Sequence, residues 1–392
     1  MGASERSGRR RCAARRGARV GAAARSRGAR APGTRDHPRV RRGEPADELS
    51  RTLAGERLMD ALATALDTAE TERLLSAALR ALHGAGAALQ RWSVNEGFTA
   101  YGKRRVVHYD LQARLGGGAE ARHYEWLGKF YDRDDDARRV ASVLRQLAAA
   151  AVAGARDGSA VPGVVAYHAP RRLLLLTYEP GEPVASAIGH ATRAVVAAMG
   201  RALAGLHVAP VALDETVAPA SAATVLADLR PRVAELCGRF PGERAGLARA
   251  LAELERAVPP PPPAACFVHG DFGPANLLWR NGEIVVLDFD KCTRGDPAAD
   301  LGNLLAQLFR MSVRKPDRLR DFAAARAGLL ETYQRWSPPD PGLGPRVAWY
   351  ERTTLLRKIH RLAFNTTRHP GPEGLGQRQA EAARLLEVGT RD

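Results

Sequence analysis

Lysine is nearly missing from this chain. Of its 59 basic residues only five, at positions 103, 129, 291, 315 and 358, are lysine, and arginine supplies the rest. Where arginine provides generic positive charge, each compact, flexible ammonium stands out as a candidate for a specific role. Long apolar runs are missing too: none approaches the ~20 residues that cross a bilayer, and no apolar core follows the basic start, which speaks against export. The four cysteines (Cys12, Cys237, Cys266, Cys292) have neither metal-ligand spacing nor local pairing. That excludes a zinc module or a disulfide scaffold and fits a reducing cytoplasm. Cys266 and Cys292 read as small buried hydrophobes. There is no internal repeat.

The net charge of +16 is unevenly placed. Residues 1–43 hold fourteen arginines against Glu5 and Asp36, so the remaining 349 residues carry a net charge of only +4. A tail of this composition cannot build a core. Three readings stay open for residues 1–48: a basic arm for anionic surfaces or nucleic acid, a transit peptide, or a stretch outside the natural protein, since a start at Met59 would leave the fold intact. The first 43 residues contain no aromatic side chain to stack on bases, which counts against specific RNA binding.

The body of the chain changes period as it proceeds. From about 49 to 90, Leu58, Leu62, Leu66, Leu74, Leu75, Leu79 and Leu82 recur at helical spacing, ending near Gly84 and Gly86. Residues 105–111 and 123–131 read as a hairpin around Gly116-Gly117-Gly118. The acidic run Asp134-Asp135-Asp136 suits the start of a helix over 137–153, and two more strands are expected at 164–168 and 172–177. Beyond Tyr178-Glu179-Pro180-Gly181 the pattern is helical, over 191–207 and in two pieces of 221–258 broken at Pro241-Gly242. A five-proline run at 259–263 then leads as a stiff spacer into a short strand, Cys266-Phe267-Val268.

The most informative stretch follows that strand. In His269-Gly270-Asp271-Phe272-Gly273-Pro274-Ala275-Asn276 an acid precedes an amide by five residues, on a loop. Twelve residues after the amide, Asp288 ends a second apolar strand in Val285-Val286-Leu287-Asp288-Phe289-Asp290. Phosphoryl transfer uses such a set: one carboxylate orients an attacking hydroxyl, while an amide and a second carboxylate hold Mg2+ against nucleotide phosphates. Each residue alone would pass for a turn or a cap; the combination at this spacing does not.

The spacing matches the catalytic and metal loops of protein kinases, and the His-Gly-Asp-x-x-x-x-Asn and Asp-Phe-Asp pattern resembles the aminoglycoside phosphotransferase and choline kinase family. The resemblance covers about residues 91–310 with motif support. It implies an α+β, two-lobed, protein-kinase-like fold. A small antiparallel sheet with one main helix (49–177) would be joined by a hinge (178–181) to a mostly helical lobe (182–392) carrying both loops. It implies ATP or GTP and Mg2+ as cofactors, Asp271 as catalytic base, and Asn276 and Asp288 as metal ligands. Lys129, the only lysine between positions 104 and 290 and set mid-strand among Trp126, Leu127, Phe130 and Tyr131, would touch the nucleotide phosphates. Tyr178 and Glu179 would bond an adenine edge through their backbone. His269 and His207 are expected to be structural, Asp296 and Asp300 likewise, with Asp300 bracing the catalytic loop. The role of Asp290 stays open.

Two departures matter. The helix after Lys129 should offer a glutamate to pair with it, and 139–147 contains none. The phosphate-covering loop, Asn95 to Arg105, has two glycines but no Gly-x-Gly-x-x-Gly, although Lys103 or Arg104 could reach phosphates. The expected function is therefore phosphate transfer from ATP to a hydroxyl of a small molecule (sugar-like, an amino alcohol or an antibiotic), with a catalytically weak pseudokinase, a nucleotide-binding scaffold or sensor, as the alternative. The expected partner is that small molecule, with neither membrane nor specific nucleic acid. Arg352, Arg357, Lys358, His360 and Arg361 make the last long helix basic, which favours a neutral or anionic acceptor over a cationic one. Trp336, Trp349 and Tyr350 could stack on a sugar or belong to the core.

Overall fold

The computed structural model describes residues 68–95, 105–116, 120–152, 159–213, 221–364 and 372–389. The basic tail, the leucines at 58, 62 and 66, most of the phosphate-covering loop with Lys103 and Arg104, and Gly117 and Gly118 lie outside them. The expected two-lobed α+β arrangement is present.

The first lobe is a five-stranded antiparallel sheet in the order β1-β2-β3-β6-β5. Its strands are β1 (Ala88–Asn95), β2 (Arg105–Arg114), β3 (Ala121–Phe130), β5 (Val164–His168) and β6 (Leu173–Thr177). Helix α1 (Thr68–His83) sends Leu75, Ala78 and Leu79 onto one face, against Tyr109, Leu111, Trp126, Leu173 and Leu175. Helix α2 (Asp134–Val152) covers the other face with Leu144 and Leu147, and there it meets Leu174 and Leu176. The unbroken run of four leucines in β6 is thus explained, because a strand buried on both faces shows no alternation.

The leading helix ends where expected: α1 stops at His83, and Gly84 takes φ +89°. The apolar spacing that continues to residue 90 belongs, from residue 88 onward, to β1. A bulge between Leu89 and Arg91 puts an extra residue into β1 opposite β2. Leu89 and Trp92 then face inward three residues apart, a spacing that imitates a helix.

The second lobe contains α3 (Val184–Val208), α4 (Ala222–Arg239), α5 (Arg244–Arg256), α6 (Pro297–Arg314), α7 (Phe322–Trp336), α8 (Leu343–Phe364) and α9 (Pro372–Gly389). Helix α3 starts earlier than the expected 191, directly after Pro183, and is kinked at Ala191 (φ −135°, ψ 37°). A small sheet in the order β4-β10-β9-β7 joins β4 (Ser159–Ala160) and β7 (Glu182–Pro183) to the hairpin β9 (Leu277–Arg280) and β10 (Glu283–Val286). β8 (Cys266–Val268) pairs with β11 (Thr293–Gly295). Helices α6 and α8 approach closely because Gly302 has no side chain; a Cβ there would come within 2.6 Å of the Glu351 amide. Trp349 and Tyr350 are core residues, whereas Trp336 is exposed.

Candidate active site

The loop that carries Asp271 is held by backbone-directed bonds. Asp300, fully buried on the first turn of α6, accepts the N–H groups of His269 (2.6 Å) and Gly270 (2.8 Å). Burial pushes its carboxyl up, but His207, 3.3 Å away, together with His269 and its amide, holds it below the usual carboxylate range. His207 reaches the Tyr333 hydroxyl with its other nitrogen, at 2.8 Å. Asp296 caps α6 through the Ala298 amide (2.9 Å) and takes the buried Arg346 from α8 (2.9 Å). Both acids are therefore structural, and Asp300 braces the loop as expected.

His269 is buried and uses both ring nitrogens on backbone. Nε2 donates to the Leu287 carbonyl (3.0 Å) and Nδ1 accepts the Asp271 N–H (3.2 Å). That pattern defines the neutral ring, and burial pushes its pKa down. It is a clamp between the two loops, not a base. Gly270 is required by geometry: it takes φ +76°, and a Cβ would lie 2.3 Å from the Lys291 carbonyl oxygen.

Asn276 is a second clamp. Its Nδ2 donates to the Asp271 carbonyl (3.0 Å) and its own carbonyl accepts the Leu287 N–H (2.9 Å). With Nδ2 anchored, no donor among the described residues engages Oδ1, the atom a hard cation would take. Leu287 is thus fixed on both sides immediately before Asp288. Asp288 adopts the left-handed region (φ +65°), a conformation that Asp tolerates better than most residues and that sites commonly hold under strain. Phe289, buried behind it against Phe267 and His269, fixes the turn.

Lys129 arrives from the first lobe. Along β3 the side chains of Trp126 and Phe130 face α1, so Lys129 points the other way. Its ammonium lies 2.9 Å from Asp288 and 2.5 Å from Asp290. Asp290 also accepts the Tyr131 hydroxyl (3.1 Å), and its backbone carbonyl accepts from Arg139 of α2 (2.9 Å). Among the described residues, no group of three or more His, Cys, Asp or Glu side chains could hold a metal alone. An oxygen pair of Asp288 and the Asn276 amide suits Mg2+, which takes one or two carboxylates and completes its shell with phosphate and water.

Asp271 itself is half-buried, with Lys291 2.7 Å from its Oδ2. Burial raises its carboxyl, but Lys291, Lys358 and His269 together hold it below the ordinary value. Lys358, on α8, has no hydrogen bond or ion pair among the described residues. Burial first, then Arg361, Arg310 and Lys291, push its pKa down to about 8, with Asp271 opposing.

Asp271, Asn276, Asp288 and Lys129 therefore form one connected cluster. Tyr178 and Glu179 sit apart from it, at the end of β6. The Tyr178 amide already donates to the Glu125 carbonyl (2.9 Å), and its ring lies on His108. The Glu179 carboxylate is bonded to Thr177 (2.7 Å) and Arg280 (2.9 Å). Asp290, Tyr131, Arg139, Lys291 and Lys358 join the site without having been assigned to it. For the two lysines a signal was present: the scarcity that pointed to Lys129 applies equally to them.

A profile of the phosphotransferase enzyme family matches residues 111–341, well over half of the chain. The chain belongs to this family. The phosphotransferase is similar to solved structures of a macrolide 2'-phosphotransferase from Brachybacterium faecium (23% identity, 81% of this chain and 98% of that one, TM-score 0.46) and of an aminoglycoside-3'-phosphotransferase of type VIII (26%, 71% and 98%, TM-score 0.40). A third is a thermostable mutant of the aminoglycoside phosphotransferase APH(4)-Ia in ternary complex with AMP-PNP and hygromycin B (16%, 81% and 99%, TM-score 0.48). A comparison with curated proteins finds no match. No helix of the phosphotransferase is long and apolar enough to cross a membrane, among the described residues.

Proposed function

We propose that this small-molecule phosphotransferase moves the terminal phosphoryl group of ATP or GTP, with Mg2+, onto a hydroxyl of its acceptor, using Asp271 as base. The observation that carries the reading is the joint clamping of the two loops: His269 and Asn276 hold Leu287 and so fix Asp271 relative to Asp288. Asp271 stays ionised at neutral pH, and with Lys291 on Oδ2 its Oδ1 is left to align and deprotonate the acceptor hydroxyl. Asn276 Oδ1 and Asp288 would hold Mg2+, whose charge neutralises the nucleotide phosphates. Lys129 would contact those phosphates from the first lobe. The segment 178–181 serves as the hinge between lobes 49–177 and 182–392. There the backbone of Glu179, which forms no hydrogen bond among the described residues, is the better candidate for an adenine edge than the Tyr178 amide.

Lys291 and Lys358 beside Asp271 support a neutral or anionic acceptor, since a cationic one would meet two ammonium groups. The missing helix glutamate was one argument for a scaffold without turnover, beside the proline run; Lys129 has carboxylate partners without it, which removes that one.

Thermal melting with ATP, with and without MgCl2, tests the reading. ATP should raise the melting temperature only when Mg2+ is present, and Asp288→Ala should abolish the rise. A parent protein that shows no Mg2+-dependent stabilisation by nucleotide sinks the proposal. An ATP-consumption screen across sugars, hydroxy acids, amino alcohols and antibiotics then identifies the acceptor, with amino alcohols expected to rank last.

A further inference from the structure

In this molecule no acid on α2 pairs with Lys129. Residues 139–147 of α2 include no carboxylate, and its three acids at the N-terminal end are taken by Tyr167, Arg138, Arg139 and Arg133. At the point where α2 passes the cluster it presents Arg139, a group of the opposite sign, which donates to the Asp290 backbone carbonyl at 2.9 Å. The carboxylate nearest the lysine belongs to Asp290, at 2.5 Å.

Asp290 is gripped by three groups of the first lobe. Lys129 and the Tyr131 hydroxyl share its Oδ1, and Arg139 holds its carbonyl. The Tyr131 ring lies 5.2 Å from the ammonium and restricts where it can swing. Asp288, the other carboxylate in contact, is 13% exposed and held in a strained turn, whereas Asp290 is 39% exposed. Once Asp288 is committed to a divalent cation, the like charge weakens its hold on Lys129. Asp290 is then the anion that remains.

We propose that Asp290 is the positioning residue for Lys129, supplying from the metal loop the carboxylate that α2 lacks, with Tyr131 and Arg139 holding it in place. This rests on the nucleotide-dependent reading above. It also means that the phosphate-contacting lysine is aligned across the two lobes and not within the first.

The test is a double-mutant cycle read by calorimetric binding of AMP-PNP in saturating MgCl2, with melting temperatures as a check on folding. Asp290→Asn keeps the shape and an acceptor for Tyr131 but removes the charge. Asp290→Asn and Lys129→Met should each weaken AMP-PNP binding about tenfold, and the double variant no further than Lys129→Met alone. Should Asp290→Asn fail to fold, Tyr131→Phe and Arg139→Gln take its place, each with a loss of about two- to fivefold that disappears in the Lys129→Met background. Additive losses overturn the proposal, as does a loss in Asp290→Asn that higher Mg2+ restores, which would make Asp290 a metal ligand. Undiminished binding by Asp290→Asn overturns it too. A parent that binds no AMP-PNP with Mg2+ defeats the nucleotide reading itself, whereas binding by the parent with an additive cycle defeats this inference alone.

Discussion

The two sides of Asp271 are built in opposite ways. Towards the core, backbone-directed bonds from His269, Asn276 and Asp300 fix the loop. Towards the rim, Lys291 and Lys358 act through charge: one is more than half exposed and the other unpaired among the described residues. Position is set by buried or half-buried groups bonded to the backbone. Under the proposed reaction, the acidity of Asp271 is tuned by charges beside it, the exposed Lys291 and the largely buried Lys358. Substitutions on the two sides should therefore differ in kind, the first altering stability and the second altering pH dependence and acceptor choice.

Asp300→Ala should have the largest effect. It strips two buried amides and His207 of their shared acceptor, for a loss of about 3–5 kcal/mol in denaturant unfolding. Asp271→Asn should leave the melting temperature close to that of the parent while turnover, once the acceptor is identified, falls by about 10²–10⁴-fold. A large loss of stability there would dissolve the distinction between the two sides.

Lys358→Met should raise stability at pH 7 by on the order of 2–3 kcal/mol. The folded pKa of Lys358 is depressed to about 8 from 10.5, so holding the proton penalises the native state fully below pH 8, and the penalty fades as pH rises to 10.5. The stability gap between variant and parent should close across that window. The groups facing the ammonium are Arg361 on its own helix, Arg310 on α6, Lys291 and Asp271. The mildest change is Lys291→Met. Without that ammonium, burial raises the Asp271 carboxyl, so the acidic limb of the pH–rate profile should move to higher pH. An unmoved limb would mean that Lys291 does not tune the base.

Much of this was legible in the sequence because it was local. Asp271, Asn276 and Asp288 stand at fixed spacing on strand-flanked loops, and Lys129 stood out by composition. What escaped notice was set by distance in the chain or by irregular backbone. Asp290 meets Lys129 across 161 residues, and Lys358 interacts with Asp271 from α8, a helix far along the chain. The bulge between Leu89 and Arg91 breaks the alternation by which a strand such as β1 is read. No periodicity encodes a two-residue strand such as β4.

That short strand carries a consequence for synthesis. Ser159 and Ala160 run parallel to Ile284 and Val285, so the sheet leading into Asp288 is completed by residues translated 125 positions earlier. On the ribosome β4 must wait for its partner until the hairpin of β9 and β10 has emerged, and so long a closure is a late event in folding. A protein severed between the lobes should therefore fold poorly as separate pieces and recover when both are expressed together.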